Sequence, residues 1–202
     1  MKQELRQMLN PAETVLYEGK PNKKCFIFET VFNPLLPIAI VWGCIDFGLL
    51  TGEVFRGIND GDFFMLPFML LHLFPVWLYL ARVVFSVKRY NNTEYVITDM
   101  AIYVSGGVFS RNITTKSFAE MSNITLHRGI FDRIFGVGDV IATTGQTDKN
   151  GNDVSVSLDN ISDYMQIYHL VKKLQMDIYS DVMYPNAKRP EDNMGYNTKY
   201  KP

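Results

Sequence analysis

The chain has 202 residues, with 20 Lys and Arg against 21 Asp and Glu and a net charge of -1. That balance excludes phosphate-driven, non-specific nucleic-acid binding, which needs a surplus of cations. Two cysteines, Cys25 and Cys44, cannot build a disulfide framework, and no Cys/His spacing of a zinc site occurs. The apolar fraction of 47% is that of an average soluble protein, but the apolar residues crowd between residues 31 and 87.

The N-terminal segment, residues 1–30, carries Glu4, Glu13, Glu18 and Glu29 and only short apolar runs, a poor match to a cleaved signal peptide. Residues 35–50 then read LLPIAIVWGCIDFGLL, with Asp46 as the one ionisable group. Residues 63–81 read FFMLPFMLLHLFPVWLYLA, without Lys, Arg, Asp or Glu. At 1.5 Å per residue, a hydrocarbon core of about 30 Å takes ~20 apolar residues. The sequence predicts two transmembrane helices, residues 31–52 and 63–87, joined by an external loop at 53–62. Pro34, Pro37, Pro67 and Pro75 fit such helices when neighbours satisfy the freed carbonyls. A buried soluble hairpin is the competing reading, and so long a charge-free run is hard to cover in a small protein.

Cations set the orientation. Lys20, Lys23 and Lys24 precede the first span, and Arg82, Lys88 and Arg89 close the second. The loop offers only Arg56 beside Glu53, Asp60 and Asp62. The positive-inside rule makes both termini cytoplasmic and the protein a multi-pass inner (plasma) membrane protein. Lys23, Lys24, Arg82, Lys88 and Arg89 are the expected membrane-edge anchors, with Trp42, Trp77 and Tyr79 as aromatic ones. Sequons at Asn91, Asn112, Asn123 and Asn160 then face the wrong side and are chance matches.

From Lys88 onward the pattern becomes short strands between turn residues. Strands are expected at 94–98, 101–105, 113–118, 123–127, 140–144 and 153–158, the last two flanking an Asn150-Gly151 hairpin tip. Ile161, Met165, Tyr168, Val171 and Leu174 recur at helical steps, predicting a capping helix whose stripe is either core or an interaction face. Residues 88–176 thus form a small antiparallel β domain closed by one helix. Residues 11–30 could add a strand through Val15-Leu16-Tyr17. The polar segment 177–202 reads as a loosely packed or disordered tail.

Two apolar spans followed by Tyr95-Val96-Ile97-Thr98-Asp99, a Gly-bearing turn and Asp132-Arg133-Ile134-Phe135-Gly136-Val137-Gly138-Asp139 resemble the bacterial pleckstrin-homology-like (PH-like) domains found behind a membrane hairpin. The segment Glu13-Thr14-Val15-Leu16-Tyr17-Glu18-Gly19-Lys20-Pro21 is similar to those preceding the first helix in such proteins. The resemblance implies an α+β membrane protein with a bent sheet capped by a C-terminal helix. It implies no reaction.

Sites for chemistry are sparse. Gly136-x-Gly138 leads into a strand rather than a helix, so these are turn or bulge glycines and not a nucleotide loop. Around Asp148, Asn150, Asn152 and Asp153 the Gly falls at the wrong place for a calcium loop and no Glu ends it. His72, His127 and His169 form no metal-ligand spacing, and no nucleophile elbow is present. Residues 88–175 balance nine cations against nine acids, which does not suit an anionic headgroup site. Within the spans, Asp46 and His72 fall at similar depths and could pair. The sequence favours the plainer arrangement, with Asp46 at the outer interface and His72 on a carbonyl. The leading expectation is a non-enzymatic membrane protein whose PH-like domain is an interaction or regulatory module, with no cofactor and no small-molecule substrate. Its partners are the lipid bilayer and another membrane protein or its own copies. The alternative is an accessory subunit of a transport or export system with Asp46 and His72 in a polar path; a membrane-bound enzyme is the weakest reading.

Overall fold

The computed structural model describes residues 3–11, 13–61, 63–149, 151 and 153–183. The chain divides into two units: residues 1–26 with 88–202, and residues 27–87. The second is therefore an insertion into the first.

The first unit is antiparallel β with helices. β1 (Val15–Gly19), β2 (Glu94–Thr98), β3 (Ala101–Gly106) and β4 (Asn112–Ser117) form one sheet in that order. β5 (Asn123–His127), β6 (Gly138–Thr147) and β7 (Asp153–Ile161) form a second. The sequence places all six later strands to within a few residues. β1 is the added strand from the N-terminal segment, with Glu18 opposite Val96 and Gly19 opposite Tyr95. Its start is clamped by Asp99, whose carboxylate accepts the Thr14 N–H at 2.9 Å and whose own N–H reaches the Thr14 carbonyl at 3.1 Å. Thr98 Oγ1 accepts the Ala101 N–H at 2.9 Å and so shapes the β2–β3 turn.

Strand alternation sorts β2 between two cores. Tyr95 and Ile97 point into the main core with Ile102, Phe118, Val140, Val156 and Leu158. Val96 points the other way, onto Leu5 of the short helix α1 (Gln3–Met8), with Ala101 and Tyr103. The Tyr103 hydroxyl donates to the Glu13 carboxylate at 3.0 Å, and burial together with Glu13 pushes its pKa up to about 12. Tyr95 ties the two sheets together. Its hydroxyl donates to the Asp159 carbonyl at 3.2 Å and accepts the Asp159 N–H at 3.1 Å.

The last helix of this unit, Tyr164–Met183, closes the main core through Ile167, Val171, Leu174 and Ile178. The expected stripe is corrected at three places. Ile161 is buried, but as the last residue of β7. Met165 is exposed, and Tyr168 packs only at the margin. The helix also runs seven residues into the expected tail, far enough to bury Ile178; residues 184–202 lie outside the described residues. A further short helix, Ile130–Phe135, joins β5 to β6 where the sequence suggested only turn residues.

That short helix explains the glycine motif. Asp132 caps it by accepting the Gly129 N–H at 2.6 Å. Gly136, at φ 69, stops it in the left-handed region that side chains avoid. At Gly138 a Cβ would lie 2.9 Å from the Tyr164 ring, so only glycine fits there.

The second unit is helical. α2 (Lys23–Val31) carries the chain into it. α3 (Leu35–Asp60) follows a break at which Asn33 Oδ1 accepts the Leu35 N–H at 2.8 Å. Gly61, at φ 74, ends α3 with its N–H on the Gly57 carbonyl. α4 (Leu66–His72) and α5 (Phe74–Asn92) follow, bent by 54° at Leu73. Two expectations change. The predicted loop 53–62 is helical up to Asp60, and the second apolar run is two helices rather than one. Counting the short helices of the first unit in chain order, Ile130–Phe135 is α6 and Tyr164–Met183 is α7.

The α7 assignment has a direct test. Val171→Asp buries an unpaired carboxylate and should cost several kcal/mol, whereas Met165→Asp should stay within about half a kcal/mol. Thermal melts of the two variants should differ sharply; similar melting temperatures would mean that Val171 does not face the core.

Candidate functional site in the apolar helices

Asp46 lies in the middle of α3 and is 1% exposed. His72 is the last residue of α4. The structure brings the two together: His72 Nδ1 lies 3.0 Å from both carboxylate oxygens of Asp46. This differs from the plainer arrangement favoured by the sequence. Its physical reason is the placement of a helix break opposite the middle of α3.

The break follows from Pro75, the second residue of α5. Proline has no N–H, so the Leu71 carbonyl loses its usual donor. One neighbouring bond shifts as well: the Val76 N–H turns from the His72 carbonyl to that of Leu73, at 2.9 Å, beside the ordinary helical bond from the Trp77 N–H at 3.1 Å. The carbonyls of Leu70 and His72 are then served by side chains. Trp77 Nε1 donates to Leu70 at 2.9 Å, and Trp42 Nε1 of α3 donates to His72 at 3.0 Å. Two indole N–H groups thus bond the carbonyls on either side of Leu71 at the break.

Trp42 precedes Asp46 by four residues, and Phe68 precedes His72 by four. Each pair therefore shares a helix face. The imidazole is flanked by both rings, with centroids 5.2 Å away for Trp42 and 5.8 Å for Phe68. At Gly43, a Cβ would lie 3.4 Å from the Val76 side chain, so a small residue lets α3 and α5 approach. Lower on the unit, the Tyr79 hydroxyl of α5 donates to the Val31 carbonyl at the end of α2, at 3.1 Å. The sequence reading missed Trp42, Phe68 and Trp77 as members of the site. The i,i+4 spacing of Trp42 to Asp46 and of Phe68 to His72, and the place of Trp77 two residues after Pro75, were the available signals.

Chemically, a buried carboxylate needs a partner, because removing one member strands the other's charge or proton. The imidazole supplies it, joining α3 to α4 at the point where backbone bonding is weakest. The ring itself is 42% exposed on the surface of the unit.

A second cluster belongs to the first unit. Donor atoms of His127, Asp132 and Asp139 lie within 4.8 Å of one another. Their contacts are already structural. Asp132 caps α6 with one oxygen and accepts the Cys25 S–H with the other, at 3.8 Å. Asp139 accepts the Asn160 N–H at 2.8 Å, and burial raises its pKa above the usual carboxylate value. This cluster closes a β-sheet edge and carries no metal assignment.

Of the expected membrane-edge cations, Lys23 and Lys24 open α2 and are exposed. Lys23 lies 5.9 Å from the Tyr90 ring, Arg89 5.4 Å from Phe26 and Lys88 5.1 Å from Phe109. Arg82 is exposed on α5. Asn150 and Asn152 of the hairpin tip lie outside the described residues, while Gly151 turns there at φ 80.

A double-mutant cycle tests the indole substitution. Trp42→Phe leaves the His72 carbonyl without its donor and should cost about 1–3 kcal/mol in unfolding measured in detergent. In a Pro75→Ala background, where the helix can regain its own donors, the same change should cost less than half as much. An equal cost in both backgrounds would show that the indole is not replacing a backbone donor.

The model of the family described as Bacterial PH domain matches residues 47–175, which is more than half of the chain. No curated protein and no solved structure matches it. The match begins inside α3 and runs through the first strip of α7, so β1, with its partner β2 inside the matched region, extends the domain on the N-terminal side. With its antiparallel sheets, capping helix and this match, the chain belongs to the bacterial PH domain family.

Proposed function

We propose that the protein is a non-enzymatic, two-pass plasma-membrane protein whose cytoplasmic PH domain serves as an interaction or regulatory module. One observation carries this reading: β1 and β2 are hydrogen-bonded neighbours, and the whole apolar unit lies between them in sequence. A chain that leaves and rejoins the same sheet starts and ends on the same side of a bilayer. It therefore crosses an even number of times.

α3 has the length and composition of a span. Its 26 residues reach roughly 39 Å at the helical rise, more than the hydrocarbon core requires. If α3 crosses, the bent pair α4–α5 must return, although neither helix alone meets the test for a span. The side chains agree with lipid as the solvent. Val41, Ile45, Phe47, Leu71 and Val84 are all exposed on this unit, which would be costly in water. The kinked carbonyls find donors within the protein, as a water-free surrounding demands. Lys23, Lys24, Lys88 and Arg89 at the two stems favour the cytoplasmic side for the PH domain.

The Asp46–His72 pair favours a second reading, an accessory subunit of a transport system with this pair in a polar path. Ionisable groups at such depth commonly mark that role. Here both carboxylate oxygens close on one ring nitrogen, and Asp46 itself is buried. That arrangement suits a latch between helices better than an open relay.

Reporter fusions test the topology. A reporter inserted at Gly61 should register outside, and one fused after Met183 should register in the cytoplasm. Cytoplasmic signals at both sites would refute the two-pass reading, and an external signal after Met183 would reverse the orientation.

A further inference from the structure

The three most exposed large apolar side chains among the described residues of the first unit are Phe109 at 81% exposure, Ile130 at 78% and Ile134 at 68%. They come from two separate segments. Phe109 is in the β3–β4 turn, and Ile130 and Ile134 stand one helical turn apart on α6. Both segments adjoin the stems through which the chain departs and returns. Lys88, the first residue of this unit after the insertion, lies over the Phe109 ring. Cys25, at the other stem, donates its S–H to Asp132 in the middle of α6. The two stems touch each other, with the Phe26 and Tyr90 ring centroids 5.9 Å apart. Phe109, the stems and α6 therefore line one edge of the domain.

The charge on that edge is one-sided. Lys23, Lys24, Lys88, Arg89 and Arg133 are exposed there. The acids nearby are turned to other tasks. Asp132 is buried in its cap, Asp139 accepts the Asn160 N–H, and Glu94 is buried within 3.5 Å of Arg111. Residues 88–175 balance nine cations against nine acids, so the cations on this edge are concentrated by position and by the two lysines of the N-terminal stem.

Resting on the two-pass reading, we infer that this edge is a lipid-contacting rim, with Phe109, Ile130 and Ile134 inserted at headgroup depth and the five cations among anionic headgroups. The occupant is the bilayer because the stems that line this edge are continuous in sequence with the apolar insertion, at Phe26 and at Lys88. Exposed apolar side chains ringed by Lys and Arg match the chemistry of an anionic lipid surface. The rim would hold the PH domain at a fixed orientation and leave the β6–β7 tip, about 33 Å away along β6, for other partners.

Nitroxide labels on the full chain, reconstituted in vesicles of phosphatidylcholine with phosphatidylglycerol, test this inference. One sample carries the label on native Cys44, which is exposed on α3. The others carry Phe109→Cys, Ile130→Cys, Ile134→Cys or Lys149→Cys in a Cys44→Ser background, with buried Cys25 left in place. Relaxation by oxygen against a water-soluble nickel chelate reports the surroundings. Labels at 44, 109, 130 and 134 should favour oxygen severalfold, and the label at 149 should favour nickel. A lipid signal at 44 with aqueous signals at 109, 130 and 134 would overturn the rim while leaving the two-pass reading intact. An aqueous signal at 44 would overturn both. Labels at 109, 130 and 134 shielded from both reagents would mark a protein interface and also overturn the rim.

Discussion

The pairing of β1 with β2 is the constraint on which the rest of the molecule depends. It joins strands separated by more than seventy residues, and Asp99 locks it to Thr14 with one side-chain and one backbone hydrogen bond. Closing so long a loop costs conformational entropy, though the cost rises only slowly with length. The helical insertion reduces that cost by ordering itself. Once the pairing exists, the ends of the insertion are held together, and an apolar excursion can only be there-and-back. In the proposed two-pass reading, fold and membrane topology then become one problem. The domain that the family match delimits is completed by a strand encoded before the apolar helices.

Inside the insertion, the same economy of donors and acceptors governs the shape. Pro75 breaks the last apolar run, and the carbonyls it disturbs are answered by the indoles of Trp42 and Trp77. The break also brings His72 against Asp46. A straight helix would carry the imidazole elsewhere along the face of α3. Proline, two tryptophans and the carboxylate–imidazole pair thus act as a single unit, in which each member meets a need created by another. In the proposed bilayer setting, leaving any of these groups unpaired is more costly than it would be in water.

Much of the PH domain was legible because its signals are local. Alternating side chains and turn residues mark β2 to β7 well, and Gly136 and Gly138 are readable as glycines required by geometry. The phase of α7 was not. Counting Ile161 into the helical pattern drew in Met165, while the face that is buried runs from Ile167 through Val171 and Leu174 to Ile178. A strand residue placed just before a helix can imitate its period. Helix ends were equally obscure within the insertion. Hydropathy falls after Leu50, yet α3 continues through a Glu53–Arg56 pair at 2.9 Å and stops only at Gly61. Solvent preference shows where an apolar run ends, whereas capping decides where the helix ends. The Asp46–His72 contact depends on a kink that neither residue encodes, and only Pro75 hinted at it. A strand through Val15-Leu16-Tyr17 was readable as a possibility, but its pairing with β2 is a long-range contact that no local pattern reveals.

The most direct measurement is a set of inter-strand nuclear Overhauser contacts in the full chain held in lipid nanodiscs. With β1 and β2 paired as neighbours, backbone protons of Tyr17, Glu18 and Gly19 should show cross-peaks to those of Ile97, Val96 and Tyr95, their register partners. Absence of these cross-peaks, with extended-coil chemical shifts at residues 15–19 while β2 and β3 remain paired, would contradict the account. The apolar helices would then no longer be an insertion into the domain, and the argument for an even number of crossings would fall with them.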